Sequence, residues 1–168
     1  MKSIKRRENI FELLVRSDKP LKGVDLANTF SVTRQIIVKD IAILRAEGKN
    51  IIATADGYLF NRQMKKERAV IAVSHNENQT VDELEIVVKY GGIIEDVIIE
   101  HPIYGEIKAS LMIKNLNDLN KFMNRFKDDD IKPLSYLTNG IHLHTISADT
   151  KEDIELIKKE LKNNGFLL

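Results

Sequence analysis

Four histidines, His75, His101, His142 and His144, all lie C-terminal to residue 68 of this 168-residue chain. Imidazole changes charge near neutral pH and is the commonest protein metal ligand. His142 and His144 are two residues apart, so on an extended strand they project from the same face. Glu83 follows His75 by eight residues, and Asp82 and Glu85 are the neighbouring carboxylates that compete with it. Three imidazoles and one carboxylate form a nitrogen and oxygen donor set suited to zinc, nickel, iron or cobalt, with one or two coordination positions left open. Imidazole binds a metal only when neutral, so occupancy should fall in acid. Each element also has a plainer reading: a His-x-His strand makes an ordinary polar face, and a glutamate near a helix start is a favourable charge there. Cysteine is absent, which excludes a disulfide framework, a thiol nucleophile, an iron–sulfur cluster and a cysteine zinc finger. No phosphate-cradling glycine loop, serine-nucleophile motif or separate general base accompanies the histidines.

Hydrophobic periodicity places these residues on alternating strands and helices. Strands are expected at 69–74, 93–100, 106–113 and 141–147, and helices at 80–90, 115–127 and 150–163. The order βαββαβ with an extra C-terminal helix suits the ferredoxin-like arrangement, in which the sheet order is 4-1-3-2 and all neighbours are antiparallel. In that arrangement the end of the first strand, with His75, lies beside the start of the fourth, with His142 and His144. The second strand ends at the same edge and carries His101. Asp128-Asp129-Asp130 reads as a solvated loop.

The net charge of +1 conceals a division. Residues 1–68 carry 15 Lys and Arg against 8 Asp and Glu, net +7; residues 69–168 are net −6. An excess of positive charge on so short a segment suits a polyanion such as nucleic acid. A first helix spans 3–16, with Ile10, Leu13 and Leu14 at helical spacing and Phe11 beside them. Ser17-Asp18-Lys19-Pro20 ends it. A second helix spans 21–30, with Val24, Leu26, Ala27 and Phe30 inward. Ser31-Val32-Thr33 is a turn, and Thr33 is the N-cap of a third helix running to Ala46. Ile37, Ile41 and Leu44 form that helix's inner face. Its outer face carries Arg34, Gln35 and Lys39, the first two suited to base edges and the lysine to phosphate. A hairpin follows, with 51–54 and 58–60 joined through Ala55-Asp56-Gly57. Three helices and a hairpin make a winged helix-turn-helix over residues 1–62. The polar stretch from Asn61 to Arg68 connects it to the second module, residues 63–168. No apolar run approaches a membrane span, and no secretory segment is evident, so a reducing cytoplasm is the expected location.

The helix-turn-helix from Ser31 to Gly48, with Ile51-Ile52-Ala53-Thr54 and Gly57-Tyr58, resembles that of NiaR-type transcriptional repressors. The second module resembles their three-histidine (3H) domain, on His75, the turn His101-Pro102-Ile103-Tyr104-Gly105-Glu106, and His142-Leu143-His144. The resemblance covers essentially the whole chain. It implies a homodimeric repressor, without enzymatic activity, of genes for NAD biosynthesis and niacin uptake. Its double-stranded DNA operator would be contacted by Thr33, Arg34, Gln35 and Lys39. Nicotinic acid would be the corepressor. A divalent transition metal, nickel or zinc, would be held by His75, Glu83, His142 and His144, and the resemblance places His101 and Tyr104 in the ligand pocket. Thr33 and Lys39 look like mild variants of a serine and a glutamine of the family pattern. Three rivals are a repressor whose effector is the metal ion itself, a small metallohydrolase fused to a DNA-binding domain, and a biotin-repressor-like ligase. The second module is too short for the last.

Overall fold

The computed structural model describes residues 3–62, 66–128 and 131–168. Contacts divide the chain into two units, Met1–Gln63 and Met64–Leu168. The centre of the expected connecting segment, residues 63–65, and Asp129-Asp130 of the expected loop lie outside the described residues.

The first unit packs α1 (Ser3–Arg16), α2 (Gly23–Phe30) and α3 (Arg34–Ala46) around Ile10, Leu14, Leu26, Ile37, Ile41 and Leu44. Leu13 and Val24, both expected inward, are 38% and 53% exposed. α2 begins two residues later than its apolar pattern implies, because Leu21 is used as a strand residue. The N–H of Leu21 donates to the carbonyl of Tyr58 (2.8 Å), and the N–H of Tyr58 donates back (2.9 Å). Leu21 thereby adds a third element to the hairpin of β1 (Ile51–Thr54) and β2 (Gly57–Phe60). Thr54 pairs with Gly57, so the tight turn is Ala55-Asp56 and Gly57 already belongs to β2. Gly57 has φ +132°, and a Cβ there would lie 2.4 Å from the Leu21 carbonyl oxygen, so the close approach requires glycine.

Between α2 and α3 the chain turns through Ser31 in the left-handed region, and the Thr33 hydroxyl accepts the N–H of Ile36 as the N-cap of α3. The inner face of α3 also buries Asp40, whose carboxylate accepts from Arg6 Nε at 2.6 Å. A charge buried this deeply needs its partner, so the pair ties α1 to α3. Gln35 and Lys39 stand exposed on the outer face of α3, whereas Arg34, expected there too, falls by helical spacing in line with Ile41 and is exposed because it is the helix's first residue; Thr33 is exposed just before it.

In the second unit β3 (Glu67–Ser74), β4 (Ile93–His101), β5 (Gly105–Ile113) and β6 (Ile141–Ala148) form one antiparallel sheet. The fold is α+β and the element order βαββαβ plus a helix is as expected, but the strand order is β3-β6-β4-β5. Counted within the module this is 1-4-2-3, not the ferredoxin-like 4-1-3-2. The reason lies in the strands themselves. β6 is buried over most of its length, which suits the centre. β5 carries exposed Glu106, Lys108 and Ala109, which suits an edge. The first and fourth strands are adjacent in both orders, so the expected meeting of His75 with His142 and His144 survives the correction.

Helices α4 (Thr80–Lys89), α5 (Leu116–Asp128) and α6 (Lys151–Asn163) contribute Leu84, Val87, Leu119, Ile154, Ile157 and Leu161 to a core shared with Ile71, Val73, Ile94 and Ile146 of the sheet. Thr150 caps α6: its hydroxyl accepts the N–H of Asp153 (3.1 Å), and the Asp153 carboxylate accepts the N–H of Thr150 (3.2 Å). The outer edge of β3 is covered by the last residues, with Ser74 N–H donating to Phe166 O and Leu168 N–H to Ala72 O. Two 3-10 turns, Glu77–Gln79 and Leu134–Thr138, were not expected from periodicity.

Candidate metal centre

His75 directly follows β3, His142 and His144 sit two apart on β6, and Glu83 lies in the first turn of α4. The i, i+4 face of α4 that buries Thr80, Leu84 and Val87 also buries Glu83, while Asp82 and Glu85 are exposed. Helix geometry thus selects one carboxylate among the three candidates. His75 Nε2 lies 3.1 Å from Glu83 Oε2, and His144 Nε2 lies 3.4 Å from Glu83 Oε1. His142 Nε2 lies 3.1 Å from His144 Nε2 and 3.8 Å from Glu83 Oε2. His75, Glu83 and His142 each offer a donor atom within 4.8 Å of the others.

The opposite ring nitrogens define the chemistry. His75 Nδ1 donates to the Asn76 carbonyl (2.7 Å), His142 Nδ1 to that of Gly140 (2.9 Å), and His144 Nδ1 to that of Asp96 (2.5 Å). A carbonyl only accepts, so each neutral ring carries its hydrogen on Nδ1 and presents a lone pair at Nε2. The three Nε2 atoms converge on Glu83, which is fully buried and whose Oε1 has no hydrogen-bond partner. Burial pushes the Glu83 carboxyl up, yet the imidazoles of His144, His142 and His75 outweigh burial and hold it well below the usual carboxylate range. Burial pushes His75 and His144 down, and the Glu83 carboxylate outweighs it and raises both. Three facing lone pairs and an orphaned carboxylate oxygen are what a divalent cation would satisfy.

Gly140 sets the spacing between the two strands' histidines. Its φ is +90°, and a Cβ there would come within 2.2 Å of the His75 carbonyl oxygen. Gly140→Ala is therefore expected to push His75 away from His142 and weaken metal binding by about 10-fold or more, as loss of a supporting contact to a ligand does. Titration with a chromophoric chelator would measure it; unchanged affinity would show that the His75 position is not critical.

Beside the cluster lies a cavity of about 410 Å³, with His142 and His144 in its wall and Leu84, Val97, Leu111 and Phe122 as apolar lining. His101 and Tyr104 are not brought there. His101 Nδ1 accepts the N–H groups of Ile103 (3.2 Å) and Tyr104 (3.4 Å), bracing the β4–β5 turn, and Tyr104 is 76% exposed. Neither lines the cavity among the described residues. The supporting roles of Asp96 and Gly140 were missed from the sequence; only Gly140, beside Asn139, carried a readable turn signal.

Residues 68–168 match the family model of the 3H domain, and residues 6–59 that of an HTH domain. The probable transcription repressor NiaR of Thermotoga maritima is 42% identical over 170 residues, covering 100% of this chain and 97% of that protein. The transcription repressor NadR of Bacillus subtilis is 34% identical over 167 residues, covering 97% and 93%. These relatives are repressors, in keeping with a regulator rather than an enzyme. Matched along both units, the chain belongs to the family of transcription repressors that join a helix-turn-helix to a 3H domain.

Proposed function

We propose that the chain is a homodimeric repressor of genes for NAD biosynthesis and niacin uptake, acting in the cytoplasm on a double-stranded DNA operator, with nicotinic acid as corepressor. Residues 1–62 bind DNA, using Arg34 and Gln35 on base edges, Lys39 on phosphate and Thr33 at the start of the recognition helix. Residues 63–168 sense the effector and dimerise. His75, Glu83, His142 and His144 hold a divalent metal, nickel or zinc. One observation carries the reading: three Nδ1-anchored imidazoles converge on a buried carboxylate at the wall of an apolar cavity. A small pyridine carboxylate suits that cavity, with its ring against the apolar lining. The bound metal supplies Lewis acidity toward the ligand's donor atoms. Nicotinic acid switches the protein only if it binds the DNA-competent arrangement better than the incompetent one.

The test is titration of labelled promoter DNA with the protein, with and without nicotinic acid and metal. Affinity that rises with both supports the reading. Affinity that responds to the metal alone makes the ion the effector, and affinity that responds to neither overturns the corepressor model.

Proton competition gives a second expectation. His75 and His144 are raised above the ordinary 6.5, so in the metal-free chain their contribution to stability is full below 6.5 and is lost as pH rises through their raised values. Glu83, held low, contributes above 4.5 and loses that only as pH falls through its depressed value. The imidazoles of His75, His142 and His144 would have to give up their Nε2 protons to hold a metal. The rise in melting temperature on adding nickel or zinc should therefore be small near about pH 6 and grow toward about pH 8. A metal-induced shift that shrinks as pH rises would count against histidine ligation.

A further inference from the structure

The sheet is irregular beside the metal ligands. β4 pairs with β6 as Ile94 with Ile146 and again as Ile98 with Leu143, so one residue of β4 is extra between the two pairs. Asp96 sits in that bulge and is 2% exposed. The slip removes the β4 carbonyl that would ordinarily meet the Thr145 N–H. The Asp96 carboxylate takes its place, with Oδ1 accepting from Thr145 N at 2.8 Å. The Asp96 carbonyl accepts from His144 Nδ1. Lys108 Nζ, on β5, lies 2.8 Å from Asp96 Oδ2 and balances the buried charge.

We infer that Asp96 is the positioning residue for His144: its carbonyl fixes the ring and tautomer, and its carboxylate fixes the main chain of the next residue. This rests on the metal-binding reading above. The backbone at Thr145 and the ring at His144 are gripped from the same residue, so the Nε2 lone pair cannot turn away without breaking the buried bond from Nδ1 to the Asp96 carbonyl. Aspartate suits the position because its side chain is short enough to stand in for a missing backbone carbonyl. Asparagine retains an acceptor oxygen of the same reach, and leucine retains only the volume.

The test uses the full chain with nickel and cobalt as probes. Asp96→Leu should weaken nickel binding by about 10- to 100-fold in chelator competition, and the visible spectrum of bound cobalt should change as the His144 donor loosens. Asp96→Asn should lose less than about threefold, restoring most of the affinity because its amide oxygen keeps the Thr145 contact. Folded Asp96→Leu with unaltered affinity, or Asp96→Asn as weak as Asp96→Leu, overturns the assignment. If Asp96→Leu does not fold, nitrogen NMR of the metal-free wild-type chain above the imidazole titration range tests the role independently. His144 held as the Nδ1–H tautomer supports the role, and an Nε2–H or mixed form overturns it. Should the wild type take up no metal, the metal-binding reading falls while the tautomer measurement still decides the hold of Asp96 on His144.

Discussion

Glu83→Gln is expected to lower affinity for nickel or zinc by more than about 100-fold, since even the outer partners of metal ligands are worth about 10- to 100-fold. The change preserves shape and removes only the anion that the three imidazoles surround. It also replaces one carboxylate oxygen with an amide donor, which can donate to an Nε2 lone pair. Well above the imidazole titration range the metal-free variant should melt no earlier than metal-free wild type, while the metal-induced rise in melting temperature disappears. Loss of metal binding with an intact fold is the signature of a ligand rather than a structural ion pair. Calorimetric titration and elemental analysis of the purified variant measure it. Corepression of DNA binding should vanish along with the metal. Wild-type affinity in this variant would mean that the carboxylate does not ligate.

Arg34→Ala should reduce operator affinity by a comparable factor. The side chain is exposed at the first position of α3, beyond the turn in which Ile37 begins the buried stripe. An arginine making a good bidentate base contact is worth about 1–3 kcal/mol of discrimination. A dimer on two half-sites loses it twice, about 2–6 kcal/mol, which is at least roughly 30-fold. Sequence preference should relax at one position per half-site. Lys39→Ala should instead weaken binding to all sequences alike and flatten the salt dependence. Neither exposed change should move the melting temperature appreciably, within about 0.5 kcal/mol. Gel-shift titrations on operator and scrambled DNA at several salt concentrations separate the two effects. An Arg34→Ala variant with unchanged operator affinity would place recognition on the wing.

Local signals carried most of the fold. Helix starts were legible where a cap did the work, as Thr33 does for α3. They failed at Leu21, whose place in the apolar pattern of α2 is overridden by pairing with Tyr58, a partner 37 positions away that no local rule reveals. The choice between two sheet orders was equally hidden, because each strand's periodicity is the same at a centre or an edge. Only the charged side chains of Glu106 and Lys108 in the β5 sequence hinted at the outcome. At the candidate site, the four-residue donor set followed from strand adjacency together with the family resemblance. What sustains that set did not, because carbonyl acceptors such as Asn76 O, Gly140 O and Asp96 O have no residue-type signature. The family resemblance of the turn implied a ligand pocket at His101 and Tyr104; in the structure His101 Nδ1 accepts two N–H groups of that turn, and neither residue is among the lining of the cavity beside the histidine cluster.

The pairing of the C-terminal residues with β3 bears on how the molecule tolerates trimming. Phe166 packs its ring edge-on against His75, 5.7 Å between centroids, and Leu168 shields the edge of the strand that ends there. Clipping residues 166–168 would remove a wall of the histidine cluster and at the same moment bare the Ser74 N–H and the Ala72 carbonyl on the outer edge of β3. Bared edges of this kind recruit strands from other molecules. Proteolytic nicking at this tail thus links damage to sensing with aggregation.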